Sequence, residues 1–157
     1  MSCATFLGRL GYTNIQIYEK NNYAGGLSSS EIPQYRLPFQ AVQFELQLML
    51  DLGVKVEYEK QLGRDLSIAQ LKEESTAIFL GIGLPEPKKP SIFADLSSEN
   101  GFYTSKDFLP KVAAGSKPGL CACKPSDNKI PSFNGKTFIY LLFFKNFKIY
   151  SHHIFSS

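Results

Sequence analysis

The chain has 157 residues, 43% of them hydrophobic and 20% charged, which suits one globular domain and excludes a largely disordered chain or two large domains. No apolar run approaches the roughly 18 residues that a membrane span needs, no basic leader runs into an apolar stretch at Met1, and three unevenly placed cysteines build no disulfide framework. The net charge of +3 is lopsided: residues 1–116 carry 11 basic and 13 acidic side chains, whereas residues 117–157 carry six lysines and one aspartate. The basic excess therefore belongs to the C-terminal segment, and the body has no basic stripe interleaved with aromatics of the kind that binds nucleic acid. Neither nucleic acid nor a membrane is an expected partner, and the cysteine usage favours a reducing compartment.

Taken in chain order, Cys3, Ala4, Phe6, Leu7 and Leu10 fall at helical spacing, with Gly11 as a C-terminal cap. Residues 14–19 alternate, placing Ile15 and Ile17 on one face of a strand. Residues 20–38 read as loop, punctuated by Gly25, Gly26, Pro33 and Pro38. A helix is expected over 39–52, with Phe39, Val42, Leu46, Met49 and Leu50 as its apolar stripe and Gly53 after its last turn. Val54, Val56 and Tyr58 alternate as a second strand. Ser67 and Gln70 form a capping-box pattern that opens a helix to about Lys72. The unbroken apolar run from Ala77 to Gly83 reads as a strand buried on both faces of a parallel sheet, next to the first strand. Ser105 is expected to cap a helix reaching Ala114 and kinked at Pro110. Residues 115–135 read as loop, and Thr137–Phe144 as a last strand. Strands alternating with helices predict an α/β fold with a largely parallel sheet.

Glu19 is the residue that points to chemistry. In a dinucleotide-binding βαβ unit an acidic residue closes the second strand and accepts hydrogen bonds from the adenosine ribose hydroxyls. It lies about 20 residues after a glycine-rich phosphate loop. Counting back from Glu19 leaves the front of this chain, so the expectation is an incomplete unit whose first strand and glycine loop are missing. Gly25-Gly26-Leu27 follows soon after, and a glycine doublet lets backbone approach a bound dinucleotide. The hydrophobic run ending in Gly81-Ile82-Gly83 is a third element of the same kind. The Cys121-x-Cys123 pair and His152-His153 have the wrong spacing for a zinc site, and no Ser/His/Asp or Cys/His nucleophilic arrangement is present.

Together with Ser2–Leu7, Ile17–Lys20, Glu31–Pro38, Gly81–Pro87, Gly101–Pro110 and Leu120–Cys123, these stretches resemble the FAD-binding domain of the vertebrate dihydropyrimidine dehydrogenase family. The small subunit of glutamate synthase shares that domain type and is the alternative relative. The resemblance implies a Rossmann-like FAD/NAD(P)-binding domain, here incomplete, over residues 1–136, followed by a divergent Phe/Lys-rich tail over 137–157 that is foreign to the family. Leu141–Phe144 stand where the family places a second, NADPH-binding glycine loop, and bulky side chains cannot bring backbone close to phosphate.

The resemblance further implies a cytoplasmic homodimeric flavoprotein that reduces uracil and thymine with NADPH. Electrons would enter through FAD and pass by iron–sulfur clusters to FMN. In that scheme Glu19 holds the FAD ribose. Lys20, Asn21, Asn22, Tyr23, Ala24, Gly25, Gly26 and Leu27 line the cofactor, Arg36 is positioned by it, and Leu62 offers backbone near the adenine. No catalytic residue and no metal ligand is expected within this chain. Its expected partners are FAD and the remainder of the enzyme or a second subunit. In isolation it is expected to be inactive and to bind FAD weakly or not at all; the alternative is a non-catalytic truncated product or interaction module.

Overall fold

Apolar residues at two periods, two for the strands and 3.6 for the helices, meet along one helix. The computed structural model describes residues 1–83, 87, 89–120, 138–142 and 150–154. Helix α1 (Ser2–Arg9) ends at Leu10, and Gly11 turns the chain with φ +92°. Strand β1 (Gln16–Tyr18) follows, then a short helix α2 (Leu27–Ser30), the long helix α3 (Phe39–Asp51) and strand β2 (Lys55–Glu57). β1 and β2 pair in parallel, with Gln16 opposite Lys55, Ile17 opposite Val56 and Tyr18 opposite Glu57. A parallel pair needs a crossover between its strands, and α2 with α3 supplies it.

Helix α3 organises both core clusters because its stripe at Phe39, Val42, Leu46 and Met49 keeps one face for two turns in succession. Its C-terminal half buries Met49 with Ala4 of α1 and Val54 before β2, and Ile15, Ile17 and Val56 pack against them. Its N-terminal half buries Phe39 and Val42 with Ala113 and Leu120. Leu50, expected in the stripe, is exposed, because the next helical position turns about 100° away from Met49.

Helix α4 (Ile68–Glu74) opens where expected, the Ser67 hydroxyl accepting the Gln70 N–H at 3.1 Å. Helix α5 (Ser105–Ser116) is capped by Thr104 rather than Ser105 and runs past the expected end at Ala114. Thr104 and Asp107 form a reciprocal capping box: the Asp107 N–H donates to the Thr104 hydroxyl and the Thr104 N–H to the Asp107 carboxylate at 3.0 Å. Pro110 lies inside this helix. Replacing Thr104 by Ala removes the cap; the expected result is a loss of about 1 kcal/mol of stability, read from urea denaturation.

Two expectations are corrected. The stretch 20–38 is not all loop, since α2 forms within it. The segment 76–83 is not a strand, and the strand beside β1 is β2. Phe79 and Ile82 are 74% and 73% exposed, respectively. An apolar run becomes a buried strand only where neighbouring strands take up its N–H and C=O groups, and among the described residues none pairs with it. Among the described residues the parallel sheet is accordingly two-stranded.

The expected strand at 137–144 is present as β3 (Phe138–Leu142), antiparallel to β4 (Tyr150–Ile154), which the sequence reading did not anticipate. Cys121, Cys123 and the rest of the 121–137 segment lie outside the described residues. No helix among the described residues is long and apolar enough to cross a membrane.

Candidate functional site

The carboxyl ends of β1 and β2 open side by side, because the strands are parallel and in register. Backbone hydrogen bonds continue beyond both strands. The Glu19 N–H donates to the Glu57 carbonyl at 2.9 Å, the Lys60 N–H to the Glu19 carbonyl at 2.9 Å, and the Glu59 N–H to the Asn21 carbonyl at 3.2 Å. The loops leaving the two strands are thereby laced together. Glu59 sits at φ +59°, the one described non-glycine residue in the left-handed region, a conformation that costs free energy and is held here by its neighbours.

Glu19 is half-buried at this strand end, and its carboxylate accepts the Asn21 N–H at 2.9 Å. A carboxylate has about four lone-pair sites, so most of its accepting capacity is open to a ligand. Tyr58 lies close enough to sense that charge: burial first, and the Glu19 carboxylate second, push its hydroxyl above the ordinary value of 10.0. Beside it runs a cleft of about 160 Å³. Asn22, Tyr23 and Ala24 form one wall, and Val42, Gln43 and Leu46 of α3 form another. Phe39, Tyr58 and Gly119 complete its lining.

The glycine doublet divides into two different cases. Gly25 has φ +104°, and a Cβ there would lie 2.3 Å from the Ser29 hydroxyl oxygen and 2.7 Å from a Val42 methyl. Its missing side chain is thus occupied by the protein itself, not left for a ligand. Gly26 has φ +52° with open space where a Cβ would stand, so it keeps the backbone accessible. Ser29, wholly buried, donates from its hydroxyl to the Ala24 carbonyl at 2.6 Å and pins the cleft wall from behind.

Of the expected residues, Asn22, Tyr23 and Ala24 line the cleft; Glu19 and Asn21 precede it at the strand end, joined by their hydrogen bond, and Gly25, Gly26 and Leu27 follow it without lining it. Lys20 and Arg36 are exposed and neither lines the cleft. Leu62 is half-buried in a turn beyond β2, bridged to Leu66 and closed by the Gln61 N–H donating to the Asp65 carboxylate at 2.8 Å. Sequence reasoning missed Tyr58, Gln43, Gly119 and Lys117. Tyr58 carried a readable signal, a polar-tipped aromatic at the carboxyl end of a predicted strand. The others reach the site only through tertiary packing. Among the described residues no three metal-ligating side chains converge.

Lys117 is buried, 3% exposed, and its ammonium donates to the Ser28 carbonyl at 2.6 Å and the Ser29 carbonyl at 3.1 Å. Burial pushes it below the ordinary lysine value of 10.5. The unfolded chain then holds this proton at pH values where the folded chain has lost it, so stability rises with pH through the window below 10.5. The expected result is a larger gain in unfolding free energy with rising alkaline pH in the native chain than in Lys117→Met, measured by urea titration of both.

Fold and site together define a small α/β unit that presents a carboxylate at the carboxyl end of a parallel strand pair. No protein-family model matches the chain. It is similar to β-subunits of NADPH- and NADP-dependent oxidoreductases. It is 30% identical over 123 residues to the NADPH-Fe(3+) oxidoreductase subunit beta of Geobacter sulfurreducens, a match covering 76% of this chain and 18% of that protein. It is 28% identical over 120 residues to the NADP(+)-dependent formate dehydrogenase subunit beta of Moorella thermoacetica, covering 76% of this chain and 17% of that one. It is 32% identical over 84 residues to the NAD-dependent dihydropyrimidine dehydrogenase subunit PreT of Escherichia coli O157:H7, covering 54% of this chain and 20% of that one. The chain thus spans about a fifth of the length of these curated relatives.

Proposed function

We propose that this chain is part of the FAD-binding region of an NAD(P)H-dependent flavoprotein oxidoreductase and that it grips the nucleotide end of the cofactor. The observation that carries this reading is Glu19: a carboxylate with open accepting capacity at the carboxyl end of β1, electrostatically coupled to Tyr58 and next to the cleft walled by Asn22–Ala24. The donor set suits a ribose, whose hydroxyls donate to a carboxylate and exchange hydrogen bonds with a tyrosine hydroxyl and with the amides of Asn22 and Gln43. At about 160 Å³ the cleft is smaller than the roughly 300–1,000 Å³ of pockets that enclose a whole ligand, so it fits one part of a dinucleotide. The open backbone at Gly26 would let the cofactor's chain approach, with Lys20 and Arg36 as the cations nearest in sequence for its pyrophosphate. FAD, when bound, would relay electrons between the nicotinamide and the next carrier.

The relatives' printed names assign them different electron partners, namely Fe(3+), formate and dihydropyrimidines, yet all share this segment. A segment common to three chemistries carries what those chemistries have in common. We therefore assign it to electron entry and not to substrate choice. The finer reading, reduction of uracil and thymine within a larger assembly, is supported by the resemblance of residues 2–136 and by the similarity to subunit PreT. The pyrimidine-reducing step is assigned to other parts of that assembly.

The test is titration of the 157-residue chain with FAD, followed by flavin fluorescence, with ADP-ribose as competitor. Weak, saturable binding that ADP-ribose displaces is the expected result. Absence of displacement would sink the assignment of the nucleotide end, and uracil-dependent NADPH oxidation by this chain alone would overturn the division of labour.

A further inference from the structure

The cleft wall rests on a segment that is poorly held by its own sequence. Helix α2 has only four residues, makes one turn and carries no side-chain cap at its N-terminus. So short a helix is marginal by itself, since the first turn fixes several residues for each hydrogen bond formed. Yet it must hold Gly25 and Gly26 at positive φ and keep Ser29 behind the wall. What holds it comes from the two ends of α5, whose C-cap is Lys117. The Lys117 ammonium reaches the Ser28 and Ser29 carbonyls, and at the other end of α5 the Lys106 ammonium pairs with Glu31 at 2.6 Å. Glu31 is the residue that ends α2.

We propose that helix α5 is a two-point clamp that positions the glycine-doublet segment, with Lys117 as its principal positioning residue. A buried ammonium is costly, and among the described residues no carboxylate faces this one. Its burial is offset by the Ser28 and Ser29 carbonyls, and removing the ammonium would leave both without their donor. A lysine at this place therefore ties its own burial to one arrangement of the Ser28–Ser29 backbone. Its charge-assisted bonds gather two successive carbonyls, which fixes the backbone direction at Ser28–Ser29 and, through the Ser29 hydroxyl, the Ala24 carbonyl. The same turn of chain delivers Gly119 to the cleft and Leu120 to the core with Phe39 and Val42. One residue thus sets two sides of the cleft relative to each other. Its consequence for ligand affinity rests on the function proposed above, whereas the clamp itself does not.

The experiment is amide hydrogen exchange on the native chain and on Lys117→Met. The reporters are the N–H groups of Ser28 to Ile32, which bond within this turn, and those of α3 serve as an internal control. The clamp predicts roughly tenfold or faster exchange confined to Ser28–Ile32, with α3 unchanged and with rescue by Lys117→Arg. Unchanged exchange at Ser28–Ile32 overturns the proposal, as does a uniform rise that includes α3, which marks Lys117 as merely structural. Should Lys117→Met not fold, Glu31→Gln opens the other jaw, and faster exchange at the same amides supports the clamp while none overturns it. FAD titration of the same variants separates the two ideas. A native chain that ignores FAD counts against the proposed function alone, and a variant with loosened Ser28–Ile32 but native FAD affinity counts against the clamp's role in the site.

Discussion

Replacing Gly25 by Ala is expected to destabilise the fold by about 3–4 kcal/mol, a large fraction of the roughly 5–15 kcal/mol that holds a domain together. Two costs add. A residue with a Cβ at φ +104° loses about 1–2 kcal/mol in backbone strain. The added methyl also meets the Ser29 hydroxyl oxygen at 2.3 Å and the Val42 methyl at 2.7 Å, and both neighbours are buried and cannot swing away. Overpacking of this kind costs about 1–3 kcal/mol, and here it also threatens the hydrogen bond from Ser29 to the Ala24 carbonyl. Gly26→Ala is the control. Its φ of +52° with ψ of −129° is strained for any L-residue, at about 1–3 kcal/mol, but no atom stands in the way of its Cβ. Guanidinium denaturation of the two variants measures the difference, and a Gly25→Ala loss no larger than that of Gly26→Ala would show that the segment relaxes.

Glu19→Gln is expected to weaken FAD and ADP-ribose binding roughly ten- to hundredfold while leaving the fold intact, since a hydrogen bond to a charged group is worth about 1.5–3 kcal/mol. The substitution keeps the side chain's shape and one carbonyl oxygen, so the Asn21 N–H can still be satisfied. It removes the charge and turns half of the acceptor into a donor, which faces the ribose hydroxyls the wrong way. The carboxylate's outward push on Tyr58 also disappears, so the tyrosine hydroxyl should titrate at lower pH than in the native chain. Isothermal titration with ADP-ribose reads the first effect and ultraviolet pH titration of tyrosine the second. The second is independent of any ligand: a normal Tyr58 shift with no change in affinity would leave Glu19 where it is and remove it from the nucleotide site.

Helices α1, α3, α4 and α5 and the two parallel strands are legible because their signals are local, whereas α2 carries none. The stripe of α3, the Ser67 cap of α4 and the alternation about Ile17 and Val56 each lie within one element and need no knowledge of its neighbours. Glu19 was legible for the same reason, as an acid closing a short β-branched run. The sequence makes both residues of the glycine doublet look ligand-facing. The structure separates them, because the space at Gly25 belongs to Ser29 in the following turn and to Val42 of α3, which only folding brings there.

Local signals thus account for α1, β1, α3 and β2 in their order, though not for α2, and for the place of the acid at the end of β1. Local propensity and periodicity suffice for that, since each is a property of a few adjacent residues. Which strand lies beside β1, that the apolar run at 76–83 stays exposed, and that Tyr58, Gln43 and Gly119 share a cleft all emerge only on packing. Strand pairing is a contest among distant segments for the same N–H and C=O groups, and no short window of sequence records its outcome. The same holds for Lys117, whose partners on Ser28 and Ser29 are carbonyls that any residues would supply. A bond to backbone leaves no trace in its partner's identity, so folding alone reveals it.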